Sequence, residues 1–161
     1  MEKLEVSGGD KTRNYEVLIP QLISLTEGEE DICANMANIA AALKETFNLF
    51  WVGFYFVRED SSQYGKSLVL GPFQGPVACT RIAYGRGVCG AAWKEGKTMI
   101  VPDVDQFPGH IACNSLSRSE IVVPIFRDGE VLAVLDIDSK DLDSFDETDH
   151  TFLTMIVNLI H

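Results

Sequence analysis

The sequence predicts an α+β fold in a single domain, with a central antiparallel sheet and helices packed on one face of it. Two amphipathic helical patterns come first, and several strand-like apolar runs follow them. The dipeptide Asp128-Gly129 joins two of these runs and is a strong hairpin signal, which favours antiparallel pairing. We assign residues 1–11 to a flexible N-terminus and residues 12–161 to the domain, since a chain of 161 residues suffices for one core.

The helices are predicted from apolar residues that recur three and four positions apart. Pro20 lies inside the first pattern and predicts either an early-turn position or a kink. Thr26 and Glu29 fit a capping box before the second helix, and Ser144 and Glu147 fit one before a C-terminal helix.

The strands are predicted from short apolar runs that are bounded by turn residues. The run LFWVGFYFV at 49–57 is aromatic and apolar, as expected of a central strand, and GVCGAAWKE at 87–95 predicts a short helix. The breaker GPFQGP is expected to separate two of the runs. The other strand-like runs lie at 67–73, 77–84, 97–104, 120–126 and 131–138.

The composition excludes several classes of function. A net charge of −11 argues against binding to nucleic acid, which needs a basic face, and against an anionic membrane surface. No apolar run reaches the ~20 residues that cross a bilayer, and the N-terminal stretch lacks the apolar core of a signal peptide. We therefore expect a cytoplasmic protein without nucleic-acid or membrane partners, and a homodimer is compatible with this sequence.

The four cysteines are too few for a disulfide scaffold and should be mostly free in a reducing compartment. No CxxC pair is present and the three histidines are scattered, so we predict no metal site and keep zinc as the weaker alternative. Cys33 lies beside the apolar stripe of the second helix and is expected to be a packing residue.

One glycine pattern, Gly85 to Gly90, matches the dinucleotide-binding sequence G-x-G-x-x-G. The next strand-like run begins near Thr98, which leaves room for only two helical turns, whereas a crossover unit takes ~30 residues or more. We therefore expect the glycines to form a tight turn that presents Cys89 near a pocket.

The strongest candidate for a reactive group is Cys113, which lies in a polar loop marked by Gly and Pro. A thiol needs its thiolate form to react, and His110 and Arg118 are close enough in sequence to stabilise that anion. An exposed and inert loop thiol is the alternative for Cys113.

Three acidic residues occur where strands begin or end. Glu120 opens one apolar run, while Asp136 and Asp138 close another and, being two apart on a strand, face the same way. Buried acids tend to hold a proton, so the three are candidate proton donors. Asp138 alone is equally consistent with a solvated strand end, whereas the apolar run before Asp136 favours a functional role.

The aromatic residues Trp51 and Tyr55 share one side of the predicted central strand. They are candidates for the wall of a pocket that holds a small apolar group, although aromatic residues on such strands commonly pack in the core.

Together, these features resemble a known family. Cys79, Cys89 and Cys113, with the runs FPGHIAC, SEIVVPI and VLDIDS, resemble the free methionine-(R)-sulfoxide reductases, which are single-domain GAF proteins. The runs LFWVGFYF and GPFQGPVACTRI also fit, so the resemblance covers roughly residues 12–160. It implies a GAF fold and the reduction of free methionine-(R)-sulfoxide to methionine.

The resemblance also implies roles for single residues. Cys113 corresponds to the catalytic cysteine, Cys79 to the usual resolving cysteine and Cys89 to a third cysteine near the pocket. The acids that hold the substrate correspond to Glu120, Asp136 and Asp138, and the aromatics around its methyl-sulfur end correspond to Trp51 and Tyr55.

The implied reaction needs no bound cofactor. The thiolate attacks the sulfoxide sulfur, a sulfenic acid forms on the enzyme, a second cysteine converts it into a disulfide, and a thioredoxin-like reductant supplied by NADPH restores the dithiol. The alternatives are a GAF domain that senses a small molecule without chemistry and a thiol redox switch. Saturable consumption of one sulfoxide diastereomer would distinguish the enzyme from both.

Overall fold

A computed structural model describes residues 3–160 as four α-helices and six β-strands. The order is α1 (Lys11–Thr26), α2 (Ile32–Phe47), β1 (Trp51–Glu59), β2 (Lys66–Gln74), β3 (Arg81–Ala83), α3 (Gly87–Glu95), β4 (Met99–Val101), β5 (Ser119–Arg127), β6 (Glu130–Ser139) and α4 (Glu147–Val157). Within the described range, no helix combines the length and apolarity that a membrane span requires.

The strands form one sheet in the order β3-β2-β1-β6-β5-β4, and every neighbouring pair is antiparallel. The predicted hairpin joins β5 to β6, with Asp128 and Gly129 at φ 53° and 80°, values that suit a two-residue turn of type I′. The antiparallel α+β prediction is confirmed, and the antiparallel order also rules out the parallel crossover of a dinucleotide-binding unit.

Alternate residues of each strand point to opposite faces of the sheet. On one face, Val52, Phe54 and Leu135 belong to the main core, which also contains residues of α1, α2 and α4. On the other face, Val122 and Val134 belong to a smaller core with residues of α3. The prediction of helices on one face thus holds for three of the four helices, whereas the short α3 packs on the opposite face and covers the site described below.

The predicted element ends are less accurate. The chain at Thr26 is still helical, so α2 is capped instead by Asp31, whose carboxylate accepts a 3.0 Å hydrogen bond from the Ala34 N–H. The capping box of α4 consists of Asp146 and Asp149, and the predicted box at Ser144 is wrong. Aspartate is as good an N-cap as serine or threonine, so sequence spacing alone allowed both assignments.

Three further local predictions need correction. Helix α1 runs on through Pro20, so the early-turn alternative is wrong. Strand β2 continues to Gln74 through most of the expected breaker, whereas the runs at 77–84 and 97–104 form strands of only 3 residues each. These short strands lie at the sheet edges, where only one side offers a hydrogen-bonding partner.

The segment before α1 was predicted to be flexible, and its first two residues lie outside the described range. Among the others, Leu4 packs against the main core. The Glu5 backbone also exchanges two hydrogen bonds with the Gln21 side chain, at 2.8 and 2.9 Å. Helix α1 begins at Lys11, one residue before the predicted domain boundary.

Candidate active site

The three acids predicted from the sequence meet on the α3 face of the sheet. Glu120 on β5 pairs with Asp138 on β6, and Asp138 pairs in turn with Trp51 on β1, so these three side chains form one row across the strands. Asp136 lies two residues before Asp138 on β6 and pairs with Gly53 on β1. Both Glu120 and Asp136 are 6% exposed. This register places three carboxyl groups within one small region of the sheet.

Burial determines the protonation of these acids. It raises the pKa of Glu120 and of Asp136 well above the ordinary carboxyl range, and the charges of the neighbouring acids add to the shift. Burial also raises the pKa of Asp138, to about 6, while the hydrogen bond from the Ser117 hydroxyl opposes the rise. Glu120 and Asp136 therefore retain protons at neutral pH, a property suited to proton donation, whereas Asp138 is largely ionised there.

The two aromatic residues form a wall beside the acids. Trp51 and Tyr55 stack with ring centroids 6.1 Å apart. The Trp51 Nε1–H donates to the Pro76 carbonyl at 3.0 Å, and the Tyr55 hydroxyl donates to the Cys79 carbonyl at 3.0 Å. Both rings thus bury their apolar surfaces and use their polar tips to hold the segment that carries Cys79.

Gly53 makes this arrangement of the wall possible. A Cβ atom at this position would lie 2.5 Å from Cη2 of Trp51 and 2.4 Å from Cβ of Phe73, far inside van der Waals contact. Because Gly53 has no side chain, the indole ring lies across the strand and stacks on Phe73, with centroids 5.5 Å apart.

Cys79 and Cys113 form a disulfide at the mouth of the cleft, although they are 34 residues apart in sequence. Cys79 follows β2, and Cys113 lies on the loop between β4 and β5. Both cysteines are partly exposed. A reductant can therefore approach this bond from solvent.

Cys89 lies on α3, which places its thiol against the acids. The tight turn that leads into α3 has positive φ at Gly85 and at Gly87, the first residue of the helix, as expected for the glycine pattern. The Cys89 Sγ lies 3.9 Å from Glu120 Oε1, and the residue is 3% exposed. Burial, together with the charges of Asp136 and Glu120, raises the pKa of this thiol well above its ordinary value. Cys89 is thus a poor nucleophile in this state.

Of the two residues proposed to stabilise the Cys113 anion, only His110 lies at the cleft. His110 lines the cleft with its Nε2 3.9 Å from Glu120 Oε2, whereas Arg118 is exposed and does not line it. Burial lowers the pKa of His110, and the charge of Asp105 opposes this change. His110 is therefore placed near the acids in a neutral form.

The structure brings all eight predicted site residues together. Seven of them line one cleft, and the eighth, Cys79, is bonded to Cys113. Sequence reasoning missed Ser117, whose hydroxyl donates to Asp138, and Phe73, which supports the Trp51 ring. The signal for Phe73 was its place in the strand-like run 67–73, but nothing in the sequence around Ser117 marked it as a site residue.

We expect Asp138 to make stability depend on pH. Below the unfolded pKa of 3.8 both states hold the proton, but as the pH rises to about 6 only the folded state retains it, so the free energy of unfolding falls. Because Asp138 is partly exposed, the loss should not exceed about 3 kcal/mol. When urea unfolding is measured at pH 4 and at pH 7, the free energy of unfolding of Asp138→Asn should fall less between the two than that of the parent chain.

The matched control is Asp141→Asn, an exposed loop substitution three positions further along. Its free energy of unfolding should fall between pH 4 and pH 7 by as much as that of the parent chain. Equal declines in all three proteins would contradict the assigned role of Asp138.

Comparisons with known proteins agree with this geometry. A model of the GAF domain family matches residues 26–161. The GAF domain-containing protein A of Dictyostelium discoideum is 57% identical over 159 residues, which cover 99% of this chain and 98% of that protein. The free methionine-R-sulfoxide reductase of Escherichia coli (strain K12) is 41% identical over 149 residues, covering 92% of this chain and 87% of that protein.

Among solved structures, the X-ray structure of free methionine-R-sulfoxide reductase from Neisseria meningitidis in complex with its substrate superposes with a TM-score of 0.93. It is 53% identical, and the match covers 99% of this chain and 93% of that one. The fold, the ordered cysteines and these similarities agree, and this chain belongs to the free methionine-R-sulfoxide reductase family of GAF-domain proteins.

Proposed function

We propose that this protein reduces free methionine-(R)-sulfoxide to methionine with two of its cysteines. The observation that carries the proposal is the Cys79–Cys113 pair at the mouth of a cleft with three acids in its wall. Each turnover of such a reaction would leave this disulfide as its product. The names of the Escherichia coli and Neisseria meningitidis relatives support the same substrate.

In the first step, the reduced Cys113 thiolate attacks the sulfoxide sulfur while an acid of the cleft protonates the sulfoxide oxygen. The protonated oxygen then moves from the substrate sulfur to the Cys113 sulfur while the transient bond between the two sulfurs breaks. This leaves a sulfenic acid on Cys113 and releases methionine. The sulfur of the substrate gains two electrons, and the sulfur of Cys113 loses them. The raised pKa values of Glu120 and Asp136 keep a proton available on these acids at neutral pH.

In the second step, the Cys79 thiol attacks the sulfenic acid, so that a disulfide forms and water leaves. Tyr55 assists by holding the Cys79 carbonyl at 3.0 Å, which positions this segment next to the Cys113 loop. The buried Cys89 lies outside this disulfide, so we assign resolution to Cys79.

Recognition of the free amino acid follows from the carboxyl groups in the cleft, of which Asp138, with a pKa of about 6, carries a negative charge at neutral pH. The carboxyl groups can accept hydrogen bonds from the ammonium group of the substrate, and Trp51 and Tyr55 can contact its methyl-sulfur end. A methionine sulfoxide within a peptide has lost that ammonium group, so the same cleft should discriminate against it.

Recycling requires an external dithiol. A thioredoxin-like protein, itself reduced by NADPH, would attack the partly exposed disulfide and return both cysteines to thiols. No bound cofactor takes part in this scheme. A cytoplasmic location and a homodimer stay predictions.

The test is NADPH consumption coupled through thioredoxin and its reductase, with the R and S diastereomers of free methionine sulfoxide supplied separately. We expect saturable turnover of the R form and none of the S form. Binding of a small molecule without any turnover, by folded and reduced protein, would instead favour a sensing GAF domain.

Replacing Cys79 with serine should separate the two steps. Because Cys113 remains, we expect one equivalent of methionine per protein in a rapid-quench experiment, followed by little further product under thioredoxin recycling. Loss of the first equivalent would show that the roles of Cys79 and Cys113 are reversed. The exposed Cys33 provides the control, since Cys33→Ser should retain the parent rate.

A further inference from the structure

We propose that the cluster of Cys89, Glu120 and Asp136 binds a thiophilic divalent cation, with Zn²⁺ as the preferred ion. One donor atom from each residue lies within 4.8 Å of the others, and all three residues are buried. They come from α3, β5 and β6, so no ligand spacing in the sequence indicated the site. The metal site shares Glu120 and Asp136 with the proposed substrate site, but its thiol, Cys89, takes no part in the disulfide.

The distance between the Cys89 sulfur and a Glu120 oxygen is close to that expected around a tetrahedral ion. With a Zn–S bond of about 2.3 Å and Zn–O bonds of about 2.1 Å, tetrahedral angles put the sulfur about 3.6 Å from each oxygen. The Cys89 Sγ lies 3.9 Å from Glu120 Oε1, which is close to that value before any adjustment. All three donor atoms lie within 4.8 Å of one another, so they must move closer together to coordinate the ion.

A second observation points to a missing ligand. Asp136 is only 6% exposed, and its Oδ1 atom has no hydrogen-bond partner among residues 3–160. An unpaired carboxyl oxygen that is buried from water costs free energy, and a bound cation would supply the absent partner. Asp136 lines the same cleft as Cys89 and Glu120, so a cation bound by these two residues would lie beside it.

The ligand types select the ion. One thiolate and two carboxylates suit zinc, whereas magnesium and calcium prefer sites made of oxygen alone. Three protein ligands leave the fourth position for water or for a further donor, and His110 Nε2 lies 3.9 Å from Glu120 Oε2. Such a cation would occupy the acids that the proposed substrate also needs, so it would act as an inhibitor.

The experiment uses the intact chain in its disulfide form, in which only Cys33 and Cys89 are free thiols. Co²⁺ serves as a spectroscopic substitute for Zn²⁺. Its titration should produce a thiolate-to-cobalt charge-transfer band that saturates at one Co²⁺ per chain, and added Zn²⁺ should remove the band. This form lacks the reactive Cys113 thiol, so the result does not depend on turnover.

Two variants identify the thiol. Cys89→Ser should lose the absorption and bind Zn²⁺ at least about 100-fold more weakly, whereas Cys33→Ser should behave as the parent chain. Absence of the band in the parent chain, or its loss in Cys33→Ser alone, would overturn the proposal.

Asp136→Asn provides an independent test if Cys89→Ser does not fold, since it keeps the thiol and removes one carboxylate. We expect its Zn²⁺ affinity to fall at least about tenfold, and an unchanged affinity would also overturn the proposal. Free methionine-(R)-sulfoxide should displace Co²⁺ from the parent chain. Tight metal binding without displacement would leave the metal site intact and contradict the proposed substrate site.

Discussion

Replacing Cys113 with serine should lower the steady-state reduction of free methionine-(R)-sulfoxide by at least about 1,000-fold. Serine keeps the size of the side chain but has no thiolate near neutral pH, so the attack on the sulfoxide sulfur is lost. The acids and aromatics of the cleft are unchanged, and calorimetry should therefore find an affinity for the sulfoxide within about threefold of the reduced parent chain.

Two controls make this experiment decisive. Cys33→Ser changes an exposed cysteine that forms no disulfide and should keep the parent rate. Thermal unfolding should show that Cys113→Ser folds as the reduced parent chain does. Multiple turnovers by folded Cys113→Ser would contradict the assignment of the nucleophile, whereas loss of both binding and turnover would mean that Cys113 shapes the cleft itself.

Replacing Gly53 with alanine should destabilise the fold and lower the activity together. The added methyl group would lie 2.4 Å from Phe73 and 2.5 Å from the Trp51 ring, so the indole must leave its place. Its hydrogen bond to the Pro76 carbonyl would then break, and the segment that carries Cys79 would lose one of its supports. We expect a loss of about 2–3 kcal/mol, measured by urea unfolding, and at least tenfold lower activity.

Gly65→Ala is the matched control for the same substitution. Gly65 lies in the β1–β2 turn at φ 69°, and a Cβ there meets no atom within 4 Å. The only cost is the left-handed backbone, about 1 kcal/mol, and activity should be retained. If Gly53→Ala were as stable and active as Gly65→Ala, the close packing of the Trp51 ring would not control the site.

The structure also explains which sequence predictions succeeded. Those that depended on a period of two or on a specific dipeptide were confirmed, because strand geometry alone determines them. Asp136 and Asp138 share a face of β6, and Asp128-Gly129 forms the hairpin. The helix caps were predicted less well, because several Ser, Thr, Asp and Glu residues near each helix start compete for the same role.

The sequence by itself determined the antiparallel α+β fold, the two buried strands with acids at their ends, and the family to which the chain belongs. Only the tertiary structure decided that Cys79 meets Cys113 across 34 residues. It also placed α3 on the face opposite the other helices, which brings Cys89 to Glu120 and Asp136. Sequence periodicity reports which way a side chain points from its own element. Contacts between separate elements depend on strand register, on helix packing and on a glycine that leaves room for an indole ring.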